Sequence, residues 1–514
     1  MASRKKPGVS RRPSAALARA TALWRERRFD EAIRHFNEAV RAAPNDLGVL
    51  VDASRALGAR YQLERSQSLL ARALRLGSRR PDVLHAVGES YRMLGRTAQA
   101  EACFRKANLL AASPATELEL AKICERRHAL DEAADFAARV LRAEPRSAAA
   151  SLIRGRIERR LGEFDKAIAT LRQVAGDSSQ DPKLRAEAYG ELSAVLDVTG
   201  ECAAAWEAIL ECKQLLLSRA QSAWDAAQFV LGRARRMVDA LSKNHFERWQ
   251  SAAESEPPQR IALLTGFPRS GTTLLEQVLD AHPDVVGSEE LEIFSGEVFP
   301  RLGENHPPDV PIERLLDELS PAQIFDARQL YLGFVQAILG EPIGTRLHLD
   351  KNPAMNLMIP AMKRVFPELK LVVALRDPRD VVVSCFLRYL PVNPVSVCFL
   401  TLERTVERYL LDMGAWLKMR ELTDQWVEVR YEHVVVDLSR EARRTLALLD
   451  VPWDEAILAY RTRASAKPVR SPSYEEVARP LFTTSVGRWQ NYERQLAPAL
   501  GALAPLVTAF GYER

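Results

Sequence analysis

Residues 260–290 read RIALLTGFPRSGTTLLEQVLDAHPDVVGSEE, and the fold of the second half of the chain is decided there. Ile261 to Leu264 form an apolar run short enough for a buried strand, and Leu274, Leu275, Val278 and Leu279 recur at helical spacing. Between them lies Gly266-Phe267-Pro268-Arg269-Ser270-Gly271, a turn rich in small residues. The stretch is therefore strand, tight turn, helix. Such a turn aims successive backbone N–H groups and a helix N-terminus at one point, which makes an anion site before any side chain is counted.

Gly266 to Thr273 carries the spacing G-x-x-x-x-G-x-T of a nucleotide-phosphate loop. Thr272 stands where a P-loop NTPase needs the lysine that reaches the β- and γ-phosphates, and a cation, Arg269, comes three residues earlier. The loop suits phosphate and not ATP. Downstream, Phe294 to Gly340 reads as helical or irregular, broken by Pro307, Pro308 and Pro311. Arg346 to Asp350 predicts a short strand running into Lys351-Asn352-Pro353, then a helix from Met355 to Phe366. Leu369 to Leu375 predicts a buried strand that Arg376-Asp377-Pro378-Arg379-Asp380 turns into another helix, and Trp426 to Arg430 a further strand ending at Tyr431. This alternation predicts a P-loop-like α/β domain over residues 260–514, a doubly wound parallel sheet with its ligand at the carboxyl ends of the strands.

The first half has a different grammar. G-x-F/Y-x-x-A, or a degenerate form of it, ends at Ala32, Ala100, Ala133, Ala167 and Ala205, with Ser66 filling the gap, in steps of 34, 34, 33, 34 and 38 residues. A small residue at the closest helix crossing lets paired helices approach, and no such unit buries its apolar face alone. The period resembles that of the tetratricopeptide repeat, which implies an all-α superhelix whose concave surface holds a peptide or protein partner, or else mediates dimerisation or spacing. Residues 14–253 are assigned to this array with one or two capping helices after Ser218, and 254–259 to a linker containing Pro257-Pro258.

At 514 residues, 47% apolar and 27% charged, the chain has the balance of a soluble multidomain protein, and no run approaches the roughly 18 apolar residues of a membrane span. Residues 1–13 contain five Lys or Arg and no apolar core, so they read as a disordered basic tail and not a secretory signal. A net charge of +5 spread over this length does not indicate a nucleic-acid partner. The six cysteines show neither C-x-x-C pairing nor metal spacing, so reduced thiols, a cytoplasmic location and no metal site are expected.

The run PRSGTTLLEQVLDAHPDV followed by Glu289-Glu290 resembles the 5′-phosphosulfate loop of sulfotransferases, most closely the tyrosylprotein sulfotransferases. RDPRDVVVS, with Arg376 and Ser384 eight residues apart, resembles the 3′-phosphate motif of sulfotransferases generally. The resemblance implies 3′-phosphoadenosine 5′-phosphosulfate (PAPS) as donor. It implies Arg269, Ser270, Gly271, Thr272 and Thr273 on the 5′ side, and Arg376 and Ser384 on the 3′-phosphate, with Arg388 one helical turn beyond on the same face. An arginine fork and a hydroxyl are apt partners for phosphate oxygens. Tyr431 matches the tyrosine near the adenine; Ser473, in SPSYEEVARP, and Arg488, in GRWQNY, fall at the family's spacing near the sulfuryl group and the 3′-phosphate. By the same likeness Glu290 is the base, Lys351 the cation on the bridging oxygen, and Arg269 and Ser473 steady the sulfuryl group, while His348 is the alternative base because cytosolic sulfotransferases use a histidine.

Two residues after Glu290, where the tyrosylprotein enzymes have an arginine, stands Glu292. An acid there repels acidic peptides. The acceptor is therefore a hydroxyl whose carrier, a protein tyrosine, a glycan or a small molecule, stays open. The competing classes are a P-loop kinase or nucleotide hydrolase, which the missing lysine argues against, and a repeat scaffold whose enzyme domain is inactive.

Overall fold

The structure is a computed structural model that describes residues 15–512 except 27, 252–257, 308, 354 and 463–484. The described chain is helical from Ala15 to Ser251 before its first strand begins, and it divides into two compact units, Met1–Ile123 and Cys124–Arg514.

In the first unit the helices Ala15–Arg25, Phe29–Ala42, Leu47–Ala59, Leu63–Leu76, Pro81–Met93 and Thr97–Leu110 succeed one another in pairs. The small residues of the repeat, Ala32, Ser66 and Ala100, are fully buried. Contact at these crossings is close: Ser66 Oγ donates to the Ser54 carbonyl at 2.8 Å, and a Cβ added to Gly88 would lie 2.8 Å from the Phe104 ring.

The second unit continues the pattern with Leu130–Ala143, Ala148–Arg160, Phe164–Gly176, Pro182–Val198 and Cys202–Leu217, burying Ala133, Ala167 and Ala205 completely. Five residues before Ala100, Ala167 and Ala205 the backbone turns left-handed, at Gly95, Gly162 and Gly200, with φ of 69°, 79° and 85°. The degenerate units place Tyr61 and His128 at that position, with φ of 56° and 63°, and so accept a conformation that glycine adopts without strain. The leading glycine of the motif is thus the turn between paired helices. Helices Gln221–Ala240 and Lys243–Ser251 follow.

The sheet has five strands, β1 Ile261–Gly266, β2 Val285–Gly287, β3 Leu347–Lys351, β4 Lys370–Leu375 and β5 Trp426–Arg430. They lie in the order β2-β3-β1-β4-β5, and every pairing is parallel. The register sets Leu264 beside Lys351, Gly266 beside Ala374, and Leu375 beside Arg430, so the carboxyl ends line up along one rim. Central β1 is buried along its whole length, the mark of a parallel strand covered on both faces. One face packs Leu264, Leu349, Val372 and Val429 against Leu275 and Val278 of the helix Thr272–Asp280 and Leu446 of Leu438–Leu449. Phe267, at the end of β1, meets Tyr409 edge-on at 4.9 Å.

Four strands lie where the sequence pattern puts them; β2 was not expected. Among the described residues no helix is long and apolar enough to cross a membrane, no group of His, Cys, Asp and Glu is suited to hold a metal, and all six cysteines are free thiols.

Candidate active site

The loop after β1 is shaped by three residues with left-handed backbone, Gly266 at φ 135°, Arg269 at 73° and Gly271 at 94°. Only glycine fits at the first and third. A Cβ on Gly266 would sit 2.3 Å from the Ala374 carbonyl oxygen, and one on Gly271 would sit 2.9 Å from the Tyr431 ring. Arg269 holds the same region without that freedom, a strain of the kind found at ligand sites. Gly271 caps the helix Thr272–Asp280, whose first N–H groups therefore face the loop. Asn356 fixes the start of the turn: its amide donates to the Gly266 carbonyl at 2.7 Å, and its carbonyl oxygen accepts from Thr265 Oγ1 at 3.1 Å.

On the β4 side, Arg269 Nε donates to Ser384 Oγ at 3.1 Å, and Arg376 Nη1 donates to the Arg269 carbonyl at 3.2 Å. The loop and the RDPRDVVVS segment are thus one constellation. Arg376 also donates from Nη2 to the Ser485 carbonyl, lies 3.7 Å from Asp380 and stacks 5.1 Å from the centre of the Tyr431 ring. Its Nε is buried with no hydrogen-bond partner among the described residues. Arg388 comes two residues after the helix Pro378–Phe386 ends, in the following turn, and its carbonyl accepts from Lys213 Nζ at 2.7 Å.

On the β3 side, Lys351 is fully buried and lies 2.8 Å from Glu290 Oε1 and 3.3 Å from Glu276 Oε2. Burial works against its charge, but the Glu276 and Glu290 carboxylates outweigh it and hold the ammonium above its ordinary range. Glu276 also accepts the Glu289 N–H at 2.7 Å, which fixes the turn that presents Glu290. Glu289 takes φ 55° there. Asp350 is not the partner of Lys351, since neighbouring strand residues face opposite ways; it accepts a 2.6 Å hydrogen bond from Tyr331 on the other face. His348 lies on that face too, nearly sealed from solvent, with Nε2 3.1 Å from Ser288 Oγ; burial pushes its pKa down to about 3.

Arg488 forms a fork with Asp197, Nη2 at 2.6 Å and Nε at 3.3 Å. Ser473 lies outside the described residues. Glu276 and Asn356 were missed from sequence. Glu276 interrupts the apolar face of its helix, and that charge was the one sign it gave.

A parallel sheet with a phosphate loop after its central strand, and basic side chains converging from the neighbouring strand ends, defines an α/β domain of the phosphate-loop type preceded by helical repeats. Residues 262–455 match the sulfotransferase family, and residues 3–46, 81–114 and 118–182 match the tetratricopeptide repeat. The chain thus combines tetratricopeptide repeats with a sulfotransferase-family domain. An uncharacterized protein of Aquifex aeolicus (strain VF5) is 25% identical over 348 residues, covering 66% of this chain and 44% of its own length. Protein-tyrosine sulfotransferase 1 of Danio rerio is 24% identical over 277 residues, covering 49% of this chain and 72% of its own. Among solved structures, the sulfotransferase domain of the Synechococcus PCC 7002 olefin synthase aligns at 21% identity over 46% of this chain and 89% of that one, with a TM-score of 0.34.

Proposed function

We propose that the protein transfers a sulfuryl group from PAPS to a hydroxyl acceptor, and that the repeats recruit the acceptor's carrier or a partner protein. The observation that carries this reading is the arrangement of two chemistries on either side of one phosphate loop. Arg269, Arg376 and Ser384 interlock on the β4 side, and Lys351 with Glu290 on the β3 side. The buried, unsatisfied Arg376 Nε favours an anionic group at this point.

PAPS supplies an activated sulfuryl group. Residues 269–273 hold its 5′ end through N–H groups and the Arg269 cation, and Arg376 with Ser384 holds its 3′-phosphate. Glu290 takes the proton of the attacking hydroxyl as its oxygen bonds to sulfur. Lys351 stabilises the negative charge left on the phosphate oxygen whose bond to sulfur breaks. Its pairing with two carboxylates keeps it protonated for that task. Glu290 is favoured over His348 by position: it is partly exposed at the rim, whereas His348 is buried and bonded to Ser288. Glu292, exposed beside it, disfavours acidic acceptors.

Calorimetry with 3′-phosphoadenosine 5′-phosphate and with Mg²⁺-ATP tests the reading. The first ligand should bind and the second should not. Tight Mg²⁺-ATP binding with no response to the 3′-phosphorylated nucleotide would establish the kinase or hydrolase alternative instead.

A further inference from the structure

We propose that Asp197, on the helix Pro182–Val198 of the last repeat pair, is a positioning residue for the donor's 3′-phosphate, acting through Arg488. The inference rests on the reading of Arg488 as a 3′-phosphate ligand. Two carboxylates clamp the segment that carries this arginine. Asp380, at the start of the helix after β4, accepts the N–H groups of Gly487 at 2.8 Å and Trp489 at 2.7 Å. Asp197 accepts from Arg488 Nη2 and Nε and from the Tyr492 hydroxyl, the last at 2.6 Å. The first clamp sets the backbone of the segment beside Arg376, whose own guanidinium donates to the Ser485 carbonyl. The second sets the direction of the side chain. Because Asp197 occupies the Nε–Nη2 edge, the Nη1 edge of the planar fork is presented to an anion in a fixed orientation.

The contact is part of a built surface. A Cβ on Gly190 would lie 2.4 Å from Tyr389 Cβ, so that helix presses directly on the turn after the RDPRDVVVS helix. Lys213, on Cys202–Leu217, is buried and donates to the Arg388 carbonyl at 2.7 Å. Trp206, from the same helix, lies 4.7 Å from the Phe386 ring and 5.8 Å from Tyr492. Both stretches of chain assigned to the 3′-phosphate, the end of one helix and the start of another, therefore rest on the last repeat pair. Ordering a long cationic side chain before its ligand arrives reduces the entropy lost on binding.

The full chain is to be titrated calorimetrically with 3′-phosphoadenosine 5′-phosphate and with AMP, which lacks the 3′-phosphate. Asp197→Ala should lower affinity for the first by roughly tenfold, the low end for a hydrogen bond to a charged group, and leave AMP binding unchanged. Asp197→Glu should restore most of the loss, and Asp197→Ala should add nothing in an Arg488→Ala background. Should Asp197→Ala fold poorly, Asp197→Asn keeps an acceptor for Tyr492 and should show a smaller loss of the same selectivity. Equal losses for both ligands, or none, overturn the proposal when Arg376→Ala still weakens the 3′-phosphorylated ligand selectively. If Arg376→Ala also has no selective effect, the donor-site reading itself has failed, and the proposal with it.

Discussion

Lys351 and Glu290 meet at 2.8 Å across the ends of two adjacent strands, the lysine fully buried and the glutamate one-third exposed. The lysine belongs to the protein and the glutamate to the rim, so one can act as a fixed charge while the other meets an incoming group.

Lys351→Met should therefore damage both stability and turnover. It removes a cation 3.3 Å from buried Glu276, and stripping one partner from a buried pair costs on the order of 3–5 kcal/mol. Thermal unfolding should show a lower Tm. Adding Glu276→Gln should recover much of that loss and none of the turnover, and a double variant as unstable as the single one would rule out the ion pair as the cause.

Glu290→Gln keeps shape but cannot accept a proton. Turnover on one acceptor at saturating donor should fall by about 10²–10⁴-fold, with donor affinity nearly intact. His348→Asn should do far less, because its ring is buried against Ser288. The reverse ranking would move the base to the histidine.

Arg376→Ala or Ser384→Ala should weaken binding of 3′-phosphoadenosine 5′-phosphate by roughly 1.5–3 kcal/mol. Adenosine 5′-phosphosulfate, which has no 3′-phosphate, should bind each variant as it binds the wild type. Parallel losses for the two ligands would contradict the assignment.

Chelation should leave activity intact. A sulfuryl group carries less charge than a γ-phosphoryl group, and the loop has Thr272 where a P-loop kinase needs its lysine, with the cation Arg269 three residues earlier. Loss of transfer in EDTA with recovery on adding Mg²⁺ would favour the kinase alternative.

Acid should act on the buried pair behind the site in opposite senses. His348, ordinarily near 6.5, is pushed down to about 3 by burial, so the unfolded chain binds a proton that the folded chain refuses and stability is lost as pH falls through that window. Asp350, ordinarily near 3.8, is pushed up to about 6 by burial, so its contribution is lost as pH rises from the lower value to the higher. The two largely offset each other where the windows overlap. His348→Asn removes the first alone. Urea unfolding at pH 7 and pH 5 should show the variant gaining on the wild type by roughly 2 kcal/mol at the lower pH. A difference that does not change with pH would mean that His348 is not held neutral.

Much of the fold was legible because its signals are local. Apolar runs mark four of the strands, a 33- to 38-residue period marks the repeats, and the G-x-x-x-x-G-x-T turn marks the loop. Arg269, Glu290, Lys351, Arg376 and Ser384 were picked out by the likeness of their motifs to those of sulfotransferases, and parallel topology brings the strand ends that lead to them to one rim. What escaped is nonlocal or too short. β2 has three residues, and no periodicity exists at that length. Glu276 looks like a surface charge until the helix is seen packed on the sheet beside Lys351. Asp197 reaches a partner 291 residues away, and no pattern along the chain announces it.

The central position of β1 has a consequence for how such a protein can diversify. Its neighbours on one side, β3 and β2, carry Lys351, Glu290 and Glu292, and those on the other, β4 and β5, carry Arg376 and Tyr431. On the proposed assignment the first side meets the acceptor and the second meets the nucleotide. Drift at the β2 rim can then alter which hydroxyl is modified while the nucleotide half stays under separate selection. Descendants of one ancestral sheet could share a donor and differ in everything they mark.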